Sequence, residues 1–148
     1  MAITAQRAID AEADRVFELI TDPRQLHTWN QLVRQTVDAP GEMTAGAQWI
    51  VEMHAMGQTW RSISPVTAID RAAREFAYRS GTDDGNPSYA DWKWHITPAQ
   101  AGCIVAVAAD FHPATFWRRV LIAKMLARQL QRELPDSLDR LAKAVATA

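Results

Sequence analysis

The last third of the chain constrains everything before it. Phe116, Val120, Ala123, Ala127, Leu130, Leu134, Leu138, Leu141 and Val145 recur at three- and four-residue steps, the spacing that lines side chains along one face of an α-helix. The pattern predicts a long amphipathic helix from about Ala114 to the C-terminus, with Arg118, Arg119, Lys124, Arg128 and Arg132 over much of the opposite side. Pro135 sits inside it and should kink it or restart it. A helix with one apolar stripe must bury that stripe against another layer.

The layer on offer is made of strands. Residues 2–9 alternate, with Ile3, Ala5 and Ile9 on one phase. A helical face follows from about Glu12 to Thr21 (Val16, Leu19 and Ile20, with Phe17 beside them). Asp22-Pro23 then signals a second short helix, a capping carboxylate ahead of a proline at the first helical position, running to about Trp29. From Gln31 to His112 the pattern is strand and turn. Strands are expected at Leu32–Ala39, Ala47–Met56, Thr59–Asp70, Glu75–Ser80, Ser88–Thr97 and Gly102–His112, separated by short Gly, Pro and Asp turns. Such spacing favours an antiparallel meander over crossover units. Pro65 interrupts the third of these segments and marks a bulge or an edge position.

Composition narrows the class. At 148 residues, 48% hydrophobic and 22% charged, the chain reads as one globular domain over 1–148. A net charge of −1 argues against a nucleic-acid partner, which calls for a basic excess. The single Cys103 leaves no internal disulfide and no thiolate zinc site. The longest strongly apolar run, Cys103 to Ala109, is far short of the roughly 20 residues that span a bilayer. Arg7, Asp10, Glu12 and Asp14 interrupt any secretory h-region. The expectation is a cytoplasmic protein with no stable membrane insertion.

The aromatic content is unusual, because six of the twelve aromatic residues are Trp. Trp49, Trp60, Trp92 and Trp94 lie in predicted strands. At roughly 150–250 Å² each and about 25 cal/mol per Å², four buried aromatics represent on the order of 15–25 kcal/mol. That surface needs a core, a partner or a ligand.

The order of elements, together with Ile9-Asp10-Ala11, Val16-Phe17, Asp22-Pro23, Trp29-Asn30 and the Pro40 to Gly46 approach to a long strand, resembles the SRPBCC superfamily. This superfamily groups START, birch-pollen-allergen and polyketide-cyclase-like proteins. Trp92-Lys93-Trp94-His95-Ile96-Thr97-Pro98 followed by Gly102-Cys103-Ile104-Val105 is similar to its penultimate hairpin, with Cys103 where Thr is more usual. The resemblance covers essentially the whole chain and rests on structural rather than catalytic motifs. It implies an α+β helix-grip fold: a curved antiparallel seven-stranded sheet, two short helices after strand 1, and a long C-terminal helix gripped by the sheet. It also implies a ligand pocket between sheet and helix. One straight helix cannot fill the hollow of a wide bent sheet, so the remaining space holds large side chains, a cavity, or both.

Alternation selects the residues that face this space. Trp92 and Trp94 share a phase with Ala90 and Ile96, opposite Tyr89, Asp91, Lys93 and His95; Trp49, Val51 and Met53 share another, opposite Glu52 and His54. Tyr78 shares the phase of Phe76 and offers a phenol. The phase of Trp60 stays open: inward, it brings Ser62 and Ser64 with it, whereas the other phase brings Arg61, which would anchor a carboxylate or carbonyl. Trp29 ends the second short helix near the cavity mouth, where it either packs under that helix or lines the pocket, and Phe116 and Val120 add the last helix's contribution. Asp110 and His112 form an i, i+2 pair, but with His27 they lack the compact spacing of a zinc motif. Asp83-Asp84-Gly85-Asn86-Pro87 reads as a turn rather than a calcium loop. No dinucleotide, phosphate-loop or nucleophile-elbow motif occurs, so no cofactor is expected.

Three functions fit these residues. The first is binding of a small hydrophobic ligand, lipid-like or aromatic, in a cavity of roughly a few hundred Å³. The second is a polyketide cyclase/dehydratase-type enzyme in which Arg61, Tyr78 or Ser62 polarises a carbonyl or moves a proton. The third is a filled-core interaction module. A homodimer would most naturally use the outer sheet face.

Overall fold

The computed structural model describes residues 2–55, 57–83, 87–113 and 123–147. Strand β1 (Ala2–Ile9) leads to helix α1 (Ala13–Ile20), a 3-10 turn (Pro23–Gln25) and the one-turn helix α2 (Leu26–Trp29). Strands β2 (Val33–Asp38), β3 (Gln48–Ala55), β4 (Gln58–Asp70), β5 (Glu75–Thr82), β6 (Tyr89–Ala99) and β7 (Gly102–His112) follow, and helix α3 (Ala123–Thr147) closes the chain. All neighbours pair antiparallel in one curved seven-stranded sheet of order β1-β7-β6-β5-β4-β3-β2. The first strand therefore joins the last, and β2 forms the far edge.

Local chemistry explains the entry to the sheet. Asp22 caps the 3-10 turn by accepting from the Arg24 N–H at 3.1 Å, and Pro23 takes the first position, where its missing N–H costs nothing. The single helix expected after Asp22 is thus split into a 3-10 turn and an α-turn. Ile3, Ile9, Val16, Phe17 and Ile20 are buried as their phases require.

Three features differ from the sequence expectation. The irregularity in β4 falls between Val66 and Ala68, just beyond Pro65. Pro65 itself keeps register opposite Gln48, and the neighbouring Val66 N–H donates to the Ala47 carbonyl at 2.7 Å, so the ring is accommodated without a local slip. Gly81 and Thr82 belong to β5 rather than to a turn, pairing with Ile63 and Ser62. Helix α3 runs through Pro135 without a restart, while its expected first turns from Ala114 lie outside the described residues.

The core sits between the concave face of the sheet and α3. Leu130, Leu134, Leu138, Leu141 and Val145 are all buried, as are Trp49, Val51, Phe76, Trp94, Ile96, Val105 and Val107 from the sheet. The helix lies closest to β1, α1 and α2. Gln131 Nε2 donates to the Thr4 carbonyl at 3.1 Å, and Arg7 pairs with Asp139, so α3 is tied to the β1 edge. Large side chains must then bridge from the central strands toward a helix anchored to one side.

The β6–β7 turn packs tightly under the start of α1. Gly102 has φ +105°, and a Cβ there would run into the Ile9 carbonyl oxygen, with the Ala11 nitrogen and the Asp10 Cα both at 3.0 Å. Gly102→Ala combines a disallowed conformation with a backbone clash, and is expected to cost more than about 3 kcal/mol. Urea unfolding of this variant checks the estimate; a loss below about 1 kcal/mol contradicts it.

Candidate functional site

The space between sheet and helix narrows to a cavity of about 70 Å³. That is room for several water molecules, and far less than the roughly 300–1,000 Å³ of ordinary ligand pockets. The expectation of a few hundred Å³ is corrected on this point. Large aromatic side chains occupy the difference.

Strand β4 makes the arrangement sterically feasible. Its inward phase carries Ser62 and Ser64, both buried, opposite Val51 and Trp49 of β3. These small side chains leave a gap across which Trp49 of β3 meets Tyr78 of β5 edge-on at 4.7 Å and stacks on Phe76 at 5.8 Å. Tyr78 in turn stacks on Trp92 of β6 at 6.2 Å. Trp94 meets Trp29 of α2 edge-to-face at 5.4 Å, with the planes at 85°. Both geometries suit the charge distribution of aromatic rings. The result is an aromatic wall running from β3 across to β6 and α2, with a serine floor.

Polar groups in this wall are mostly paired. The Trp94 indole N–H donates to the Tyr78 hydroxyl at 3.3 Å, and the Trp92 N–H donates to Ser80 Oγ at 3.1 Å. Asn30 Oδ1 accepts from the Leu32 N–H at 3.1 Å, which holds the turn after α2. From α3, Leu130, Glu133, Leu134 and Ser137 face the cavity on one helical stripe. Glu133 Oε1 accepts from Gln129 Nε2 at 2.9 Å. Among the described residues two buried polar atoms have no partner: Trp29 Nε1 and Glu133 Oε2.

The sequence candidates separate cleanly. Trp29, Trp49, Val51, Met53, Ser62, Tyr78, Trp92 and Trp94 all line the cavity. Trp60 takes the inward phase of Ser62 and Ser64 and packs against the core, yet it lies beyond the cavity lining, near the Gly57 turn. Arg61 is exposed on the opposite face, so it reaches no cavity occupant; once Ser62 turns inward, strand alternation forces its neighbour out. Phe116 and Val120 lie outside the described residues. Asp110 and His112 pair with each other at 3.1 Å on the outer face, and Arg79 pairs with Asp91 there at 2.8 Å. Among the described residues no group of three or more His, Cys, Asp and Glu is placed to hold a metal ion.

Sequence reading missed Asn30, Ser80, Glu133 and Ser137 as lining residues. Glu133 and Ser137 lie three and seven positions after Leu130, at the margin of the apolar stripe. Polar residues at those positions were the signal available.

Burial pushes the Tyr78 phenol up to about 12, against the usual 10.0; the hydrogen bond from Trp94 acts the other way and is outweighed. The folded state therefore holds this proton more tightly than the unfolded chain. Its contribution to stability is intact below pH 10 and is lost as pH rises toward 12. Tyr78→Phe should flatten that alkaline decline. A phenolate absorbance titration of wild type minus Tyr78→Phe should have its midpoint near pH 12; a midpoint near 10 contradicts the placement.

The same fold recurs in other proteins. The sequence profile of the family described as polyketide cyclase / dehydrase and lipid transport matches residues 1–146. Among curated proteins there is no sequence match. Solved structures with the same fold include TTHA0849 from Thermus thermophilus, at 19% identity and a TM-score of 0.78 over 99% of this chain and 98% of that one. The Zhui aromatase/cyclase from Streptomyces sp. R1128 gives 17% identity and a TM-score of 0.78, covering 99% and 93%. Ara h 8.0201 gives 13% identity and a TM-score of 0.76, covering 100% and 99%. No described helix is long and apolar enough to cross a membrane.

Proposed function

The chain belongs to the polyketide cyclase/dehydrase and lipid transport family, and on that footing we propose that it binds a small, flat, hydrophobic molecule bearing polar substituents between sheet and helix. The observation that carries this reading is the aromatic-walled cavity floored by Ser62 and Ser64 and roofed by α3. Rings of Trp29, Trp49, Tyr78, Trp92 and Trp94 offer faces and edges to a planar guest. A long acyl chain would gain less from such walls than a flat ring. A guest larger than the cavity of about 70 Å³ would have to shift α3 relative to the sheet.

A second reading, a cyclase/dehydratase-type enzyme, is favoured by one specific observation: polar groups converge inside the cavity. Tyr78, Ser62, Ser64, Ser80, Ser137 and Glu133 all line it. A phenol that keeps its proton, as Tyr78 does, donates a hydrogen bond to a carbonyl and stabilises charge building on its oxygen. Ser62 would support the same carbonyl. With no activated nucleophile in the lining, rate acceleration would come from folding and orienting the chain of the substrate.

Intrinsic Trp fluorescence titrated with 2-naphthol and, separately, palmitate tests the binding reading. 2-Naphthol is expected to change the emission and raise the melting temperature, and palmitate to do so weakly or not at all. Ser62→Leu, which fills the floor, should weaken 2-naphthol binding by at least about tenfold. Arg61→Ala, one residue away on the opposite face, should leave it unchanged. If neither compound alters emission or melting, the binding reading fails.

A further inference from the structure

Two atoms in the cavity wall stand out because each lacks what the other has. Trp29 Nε1 is a hydrogen-bond donor on a residue only 1% exposed, and it has no acceptor. Glu133 Oε2 is a buried carboxyl oxygen, and it has no donor. The indoles of Trp92 and Trp94, in the same wall, both have their N–H groups satisfied by neighbours. Trp29 and Glu133 come from α2 and α3, which pack together, and both line the same cavity.

Burying a donor and an acceptor without partners is costly, and native proteins avoid it unless something else completes the pairing. The carboxyl group is also held in place: Gln129 Nε2 occupies Oε1 at 2.9 Å, which leaves Oε2 as the free end. A rigid indole and a carboxyl held on one side thus belong to the lining of one cavity. An indole N–H only donates, and an ionised carboxylate only accepts.

The geometry points to a hydroxyl-reading site: the ligand's phenolic, enolic or alcoholic OH accepts from Trp29 Nε1–H and donates to Glu133 Oε2. A hydroxyl is the smallest group that does both at once. A ketone oxygen would satisfy the indole and leave the carboxyl orphaned, and a hydrocarbon edge would satisfy neither. Trp29 and Glu133 thereby become specificity-determining residues, and the ligand class narrows to hydroxylated rings. This inference rests on the binding reading above.

Calorimetric titration of the full chain with two matched pairs, phenol against benzene and 2-naphthol against naphthalene, separates the inference from its premise. Each pair has one ring system and differs by one OH. Wild type is expected to prefer the hydroxylated member by about 10- to 100-fold, the range of one to two hydrogen bonds to otherwise unpaired groups. Trp29→Phe keeps a ring but removes the N–H, and should cut the preference several-fold. Glu133→Leu should do the same. Glu133→Gln keeps the shape and an acceptor but loses the charge, and should reduce the preference by a smaller factor. Its result decides the case if either of the other variants melts below the working temperature.

Equal affinity within each pair for wild type overturns the inference and leaves the binding reading standing, because the two atoms would then be served by water alone. A preference that survives unchanged in the folded variants also overturns it. Failure of all four compounds to bind overturns both.

Discussion

The structure depends on burying two apolar surfaces against each other that do not match in shape. Helix α3 brings a narrow stripe, and the curved sheet brings a broad concave face. Tied to β1 by Gln131 and the Arg7–Asp139 pair, the helix lies toward one side. Its leucines cannot reach every central strand. Van der Waals contact is restored only if the intervening volume is filled at close to crystal density, and Trp49, Phe76, Tyr78, Trp92 and Trp94 are the side chains long enough to do it. The high Trp content and the small cavity have the same cause.

Filling a concavity with amphipathic rings brings polar atoms inside. Each buried indole N–H and phenol OH needs a partner, and the wall provides most of them internally, through Trp94 to Tyr78 and Trp92 to Ser80. Those bonds orient the rings as well as satisfying them. The exceptions, at Trp29 and Glu133, interrupt an otherwise consistent set of local choices. Such interruptions gather where a protein meets its ligand.

The family and the helix-grip fold account for the sheet wrapped against α3, with a cavity of about 70 Å³ left between them. Neither sets the chemistry within it, since one fold hosts many activities. The neighbours illustrate the point: one is an aromatase/cyclase and another is Ara h 8.0201, at 17% and 13% identity to this chain. In this chain the chemistry is set locally, by serines on β4, a phenol on β5 and a carboxyl on α3.

Much of this was legible from one dimension. Period-two alternation in β3 and β6 placed Trp49, Val51, Trp92 and Trp94 on the concave face, because a strand's side chains leave no third direction. The three- and four-residue steps ending at Val145 likewise identified the closing helix. Other features were settled only in three dimensions. The inward phase of Trp60, Ser62 and Ser64, and hence the exclusion of Arg61, depended on how β4 keeps register past Pro65 and slips only after Val66, a matter of pairing with β3 and β5. Glu133 and Ser137 sit at the margin of an apolar stripe, where burial turns on the rotation of α3 against the sheet. Sequence periodicity specifies which residues share a face of one element; the contents of a cavity are specified by how separate elements meet, and that requires the packed fold.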